Sequence, residues 1–165
     1  MRFDSLPGWL AWQQALHPTA IDLGLERVEA VLDGLALARP RAVLTVGGTN
    51  GKGSVAAMLD AMLRAAGYAV GCFTSPHLRR YNERIRIGGV EATDAALLEA
   101  FDRIDRVRGD TSLTYFEWNT LAALLLFERA EVDVAVLEVG LGGRLDAVNA
   151  VDADVAAVVS IGLDH

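Results

Sequence analysis

The sequence holds a single cysteine, Cys72, so no internal disulfide framework can be drawn. Cys72 lies in the apolar run Tyr68-Ala-Val-Gly-Cys-Phe73, where a buried structural thiol is expected rather than a nucleophile. Positive charge is also scarce. Fifteen Lys and Arg stand against 22 Asp and Glu, a net charge of −7, which argues against nucleic acid as a partner because phosphate contacts need a basic surface. The Arg-rich piece Arg79-Arg-Tyr-Asn-Glu-Arg-Ile-Arg86 is a local exception and reads as a solvated loop and strand edge. No apolar run is long enough for a bilayer: the longest, Leu121–Phe127, is short and flanked by charge. The first residues, Met1 to Pro7, lack the apolar core of a signal peptide, so a cytoplasmic protein with no membrane partner is expected. No internal repeat or low-complexity linker interrupts the 165 residues, which suit one domain with a sizeable core.

What is present is concentrated in Ala42-Val-Leu-Thr-Val-Gly-Gly-Thr-Asn-Gly-Lys-Gly-Ser54. A strand-like run enters a glycine loop with one lysine, and a helix-compatible segment follows from Val55 to Ala66. That order builds an anion site, because free N–H groups and the positive end of the helix dipole converge on one point. Glycines admit phosphate oxygens close to the main chain, and Lys52 supplies a point charge. The loop is not a standard Walker A string: Val46 stands five before Gly51, and Gly53 follows Lys52 where Ser or Thr is usual. Nor does it fit G-x-G-x-x-G. A nucleoside triphosphate is the ligand class it suggests.

Around this loop, strands and helices alternate. Helices are expected over about Gly8–Leu16 and Leu25–Leu37, stopped by His17-Pro18 and Arg39-Pro40. Gly67 is a plausible end for the helix after the loop. A second strand, Ala69–Thr74, ends at Ser75-Pro76, and a short strand near Arg84–Ile87 turns at Gly88-Gly89. Thr93-Asp94 caps a helix through about Val107, and Phe116–Ala130 forms a strongly apolar helix. Two more strands, Val132–Val139 and Asp154–Ile161, complete the set. Continuous apolar strands alternating with helices indicate an α/β fold, a mainly parallel sheet with helices on both faces. The sequence stops at Gly162-Leu-Asp-His165 directly after a strand, which reads as a domain cut short.

Ligands of open parallel sheets bind beyond the carboxyl ends of the strands. The four clear strands deliver Lys52 with its loop, then Thr74-Ser75-Pro76-His77, Glu138, and Asp164-His165. A hydroxyl and a carboxylate suit Mg²⁺, while histidine is a less usual partner for so hard an ion. Glu138 has two readings, a metal ligand or a carboxylate capping the turn Gly140–Gly143. Ser54 is a second hydroxyl that could reach a metal, but the inserted Gly53 shifts it from the usual P-loop place.

Gly48-Thr-Asn-Gly-Lys-Gly-Ser54, Thr74-Ser-Pro-His-Leu78, Asn82-Glu-Arg-Ile85 and Leu137-Glu-Val-Gly-Leu-Gly-Gly-Arg-Leu-Asp146 together resemble the dihydrofolate synthase/folylpolyglutamate synthase family of Mur-ligase-like enzymes. Ile21–Val28 and Ser160–His165 fit as well, and Leu113–Glu117 with Gly143–Ala147 resemble the bacterial bifunctional form. The resemblance implies a P-loop-type three-layer α/β/α ATPase domain. It implies ATP-dependent joining of L-glutamate to dihydropteroate or a reduced folate through an acyl phosphate, in folate biosynthesis and polyglutamylation. By position, Thr49, Asn50, Gly51, Lys52, Gly53 and Ser54 would hold ATP, with Lys52 catalytic; Ser75, Glu138 and His165 would bind Mg²⁺. Ile21, Asp22, Leu23, Gly24, Thr114, Tyr115, Phe116, Glu117, Leu145, Asp146 and Ala147 would line the pterin site. Residues 1–165 would be the N-terminal part of the ATP-binding domain. A downstream lysine and a C-terminal glutamate-binding domain would lie beyond it, leaving this piece inactive alone; the full-length enzyme would be a monomer. The rival readings are another Mur-type ligase of cell-wall synthesis, which Gly53 disfavours, and a nucleotide-binding module without ligase chemistry.

Overall fold

Neighbouring residues of a strand point to opposite sides of its sheet, and in β1 (Ala42–Gly47), β2 (Val70–Phe73) and β5 (Val134–Glu138) both sides are apolar. Such strands are stable only when covered on both faces. The computed structural model, which describes residues 1–162, shows how this is done. With β3 (Ile85–Ile87), β4 (Val90–Glu91) and β6 (Val155–Val158) these strands form one sheet in the order β4-β3-β2-β5-β1-β6. β2, β5, β1 and β6 run parallel, while β3 and β4 form an antiparallel edge. The two-residue turn Gly88-Gly89 joins β3 to β4 and leaves no room for a crossover helix, so the sheet is mixed at this side.

One face carries Val46, Val70, Cys72 and Val136, closed by Ala56 of α3 (Lys52–Ala65). The other carries Val43, Phe73, Ala135 and Leu137 beneath α5 (Tyr115–Arg129). Every residue of α5 from Glu117 to Phe127 is buried, because α1 (Leu6–Leu16), α2 (Glu26–Leu35) and α4 (Asp94–Arg108) pack over its outer side. The two helix layers on this face explain the strongly apolar sequence of α5. Trp9, Phe101 and Trp118 lock α1, α4 and α5 together, with ring centroids 5.8–6.1 Å apart. Each such pair contributes about 0.5–1.5 kcal/mol beyond its buried area. Among the described residues no helix is long and apolar enough to cross a membrane.

The helix after the glycine loop starts at Lys52, earlier than the apolar pattern from Val55 suggests. Gly51 adopts φ +91° as its N-cap, so Lys52, Gly53 and Ser54 become the first helical turn. The parallel register then brings the ends of β1, β2 and β5 to one edge: Val46 lies opposite Glu138, and Phe73 opposite Leu137.

Candidate active site

The loop between β1 and α3 is held by the chain that follows β6. Gly48 has φ +130°, and a Cβ there would fall 2.5 Å from Val159 Cγ2, so a side chain is excluded on two grounds. The Thr49 N–H donates to the Ser160 carbonyl at 2.7 Å, and the Thr49 hydroxyl oxygen accepts from the Gly162 N–H at 3.0 Å. The Ser160 hydroxyl donates to the Asn50 carbonyl at 2.9 Å. Thr49 and Asn50 thus anchor the loop, while the N–H groups of Lys52, Gly53 and Ser54, as the first helical turn, have no intrahelical acceptor. Lys52 is the only lysine in the sequence. Its ammonium folds back on the loop, donating to the Gly48 carbonyl at 2.8 Å and the Thr49 carbonyl at 3.3 Å. A cavity of about 370 Å³ opens here, lined by Gly47, Gly48, Thr49 and Lys52, and opposite them by Gly140 to Gly143.

Glu138 ends β5 almost fully buried. Its Oε2 accepts from the Ser75 N–H at 2.8 Å, and Gly53 faces its Oε1 across the loop–helix junction. Burial pushes the carboxyl pKa up, opposed by the Ser75 N–H and the Lys52 charge. A buried carboxylate beside a serine offers the hard oxygen donors that Mg²⁺ takes while keeping several waters. Ser75 and Glu138 are therefore brought together; His165 lies outside the described residues. Among the described residues there is no cluster of three or more His, Cys, Asp or Glu fit to hold a metal. Exposed Ser54 lies in the same helical turn as Gly53.

A second cavity, about 340 Å³, is lined by Ile21 to Gly24, Thr114 to Glu117 and Leu145 to Ala147, together with Ser75, Pro76 and Arg84. Three segments distant in sequence thus meet at one place. Tyr115 and Phe116 are half-buried, and the Phe116 ring lies against Gly140, where a Cβ would come within 2.6 Å of it. Glu117 is tied down. Its carboxylate accepts from the Thr114 N–H at 2.7 Å in a capping box and pairs with Arg27 at 3.0 Å. Arg27 also holds Asp22 at 2.8 Å, and His17 bridges Asp22 to Ser112. This chain of contacts fixes the 21–24 segment against the N-terminus of α5.

Asp146, not Glu138, caps the Gly140–Gly143 turn. Its Oδ2 accepts from the N–H groups of Gly140 (3.0 Å) and Leu141 (2.8 Å), and its Oδ1 from Val148 (3.1 Å). Gly140 and Leu141 line both cavities, so this turn is the partition where they meet.

Sequence reasoning placed His77 at a strand end without giving it a role, and missed Arg84, Arg27 and His17. The Arg-rich segment is not uniformly solvated: Glu83 gathers the N–H groups of Leu78, Arg79 and Arg80, and the resulting fold buries Arg84. Arg84 Nε donates to His77 Nδ1 at 2.8 Å, and its guanidinium carbon lies 5.6 Å from the Tyr115 ring centre. Burial and the Arg84 charge lower the His77 pKa, consistent with a neutral acceptor ring. No spacing rule singles Arg84 out from Arg79, Arg80 and Arg86.

Fold and loop define a P-loop-type α/β domain with a mainly parallel sheet. The chain belongs to the Mur ligase middle domain family, which it matches over residues 46–165. It is 55% identical over 161 residues to the dihydrofolate synthase/folylpolyglutamate synthase of Escherichia coli (strain K12), an alignment covering 97% of this chain and 38% of that protein. It superposes on E. coli FolC in complex with DHPP and ADP with a TM-score of 0.96 at 55% identity, covering 98% of this chain and 39% of the other. A bifunctional folylpolyglutamate synthase/dihydrofolate synthase with Mn, AMPPNP and L-glutamate bound gives a TM-score of 0.93 at 53% identity, with 98% and 39% covered. The chain thus spans about two-fifths of the length of the relatives it matches.

Proposed function

We propose that this chain is the N-terminal part of the ATP-binding domain of a ligase that joins L-glutamate to dihydropteroate or a reduced folate. The observation that carries this reading is the shared wall: a cavity at the glycine loop and an aromatic-lined cavity meet at Gly140-Leu141. ATP in the first would present its terminal phosphate to a carboxylate held in the second. The N–H groups of Lys52, Gly53 and Ser54 would cradle the phosphates, with Thr49, Asn50 and Gly51 shaping the loop. Lys52 would leave its carbonyl partners for a phosphate oxygen and neutralise charge during transfer. Mg²⁺, held by Ser75 and Glu138 with His165 as the further ligand, would supply charge neutralisation and orientation for the phosphates.

The carboxylate oxygen takes the terminal phosphoryl group, giving ADP and an acyl phosphate. The glutamate amine then attacks the acyl carbon, and inorganic phosphate leaves as the amide forms. No protein side chain need become covalently attached. Tyr115 and Phe116 offer flat surfaces to a pterin ring, bordered by Leu145 and Ala147. The relatives bind the same classes of molecule, ATP analogues, Mn and glutamate among them, and glutamate would be bound beyond residue 165. The same reading makes it a cytoplasmic monomer acting on small molecules, and the acidic composition disfavours a nucleic-acid partner.

The test offers the full-length protein ATP, Mg²⁺ and glutamate with dihydropteroate and tetrahydrofolate in separate reactions, following ADP release and the amide product. Glutamate-dependent product with either acceptor is expected. ADP release that requires a muramyl peptide instead would overturn the assignment.

A further inference from the structure

The charged side chains lining the aromatic cavity are Asp22, Arg84, Glu117 and Asp146. The protein itself satisfies the three acids: Asp22 through His17 and Arg27, Glu117 through Arg27 and the Thr114 N–H, Asp146 through three backbone N–H groups. Arg84 differs. It is only 8% exposed, yet among the described residues no carboxylate lies within ion-pair distance of it. Among the described residues its one side-chain hydrogen bond runs from Nε to the His77 ring, an uncharged acceptor, and the rings of Tyr81 and Tyr115 flank it. A buried guanidinium without a counter-charge is costly, and its planar fork matches a carboxylate. Its position in the cavity is also informative. The Arg84 carbonyl accepts from the Thr74 N–H at 2.9 Å, and the next residue, Ser75, binds Glu138 and lines the same cavity. Arg84 therefore stands at the end of the cavity where phosphoryl transfer would occur.

We propose that Arg84 is the counter-ion of the substrate carboxylate that becomes phosphorylated, and so a determinant of selectivity for acidic over neutral pterins. This rests on the ligase reading above. Two donors of one guanidinium would fix the carboxylate plane and leave an oxygen directed at the phosphate. His77 and the two tyrosines set the direction of the fork.

The experiment measures equilibrium binding of 7,8-dihydropteroate and of its neutral carboxamide to the full-length protein without ATP. Wild type, Arg84→Gln and Arg84→Lys are compared, with the melting temperature of each recorded. Arg84→Gln is expected to weaken the acid by about 10- to 100-fold, as for loss of a charge-assisted hydrogen-bonded pair, and to leave the carboxamide affinity unchanged. Arg84→Lys, which keeps the charge without the fork, is expected to fall between. Equal losses for acid and carboxamide would assign Arg84 a purely structural role and overturn the proposal, as would an unchanged affinity for the acid. If the wild type binds neither pterin, the ligase reading itself fails, and the proposal with it.

Discussion

Desolvation acts on Cys72, Glu138 and Asp146 in one direction and with different results. Each proton-binding equilibrium is pushed toward the neutral form. At Glu138 and Asp146 backbone N–H donors oppose the shift without cancelling it, and both carboxyl pKa values stay raised by burial. The Cys72 thiol has only Arg86 Nη2, 4.0 Å away, and rises to about 11. A thiol so buried is a packing residue. Its folded pKa lies above the unfolded one, so its contribution to stability is fully present below the unfolded pKa of about 9 and is lost as pH rises through the folded value. Denaturant melts between pH 8 and 11 are therefore expected to show stability falling with pH in the wild type. In Cys72→Ala that fall should be smaller by about 3 kcal/mol at most. Parallel curves for the two proteins would show that Cys72 ionises as easily folded as unfolded.

At the scale of elements, the Gly140–Asp146 turn and the start of α3 carry the site. Asp146 supplies acceptors to three N–H groups at once, which a carboxamide cannot do, since one of its two polar atoms is a donor. Asp146→Asn is expected to cost about 1–3 kcal/mol, the penalty for a buried donor left facing a donor. Because the turn forms the wall between the cavities, the same change should weaken both nucleotide and pterin binding. A thermal melt with paired ligand titrations checks this: normal affinities with normal stability would show that the partition does not depend on Asp146. α5 links core and cavity, since its first turn presents Tyr115 and Phe116 while its body fills the space under the sheet. The 21–24 segment depends on Arg27, which reaches Glu117 across 90 positions.

For the whole molecule, the sheet is well covered at its centre and open at β6. Val155, Val158 and Ile161 are 57%, 68% and 81% exposed, and among the described residues β6 pairs only with β1. An uncovered apolar edge strand is a template for pairing with another chain. Residues 1–165 expressed alone are therefore expected to self-associate, seen as a concentration-dependent sedimentation coefficient, and to form no glutamate amide. A monodisperse monomer that ligates glutamate would contradict both expectations.

The central strands were legible because β1, β2 and β5 are short apolar runs bounded by turn residues, a pattern that buried parallel strands require. The glycine loop was legible as an anion site, since strand, glycines, lysine and helix follow one another within about a dozen residues. The resemblance named the segments around the aromatic cavity, but composition and spacing could not show that they meet. The start of α3 was misplaced because periodicity marks apolar faces, and Lys52-Gly53-Ser54 belongs to the helix through the left-handed Gly51. Arg84 looked like its neighbours Arg79 and Arg80 until Glu83 folded their backbone and turned one guanidinium inward. Sequence by itself thus determined the central strands, the main helices and which loop invites phosphate, because those properties are local. Tertiary structure alone decided which charges are compensated and which is left facing the cavity, because that depends on groups tens of residues apart being desolvated together.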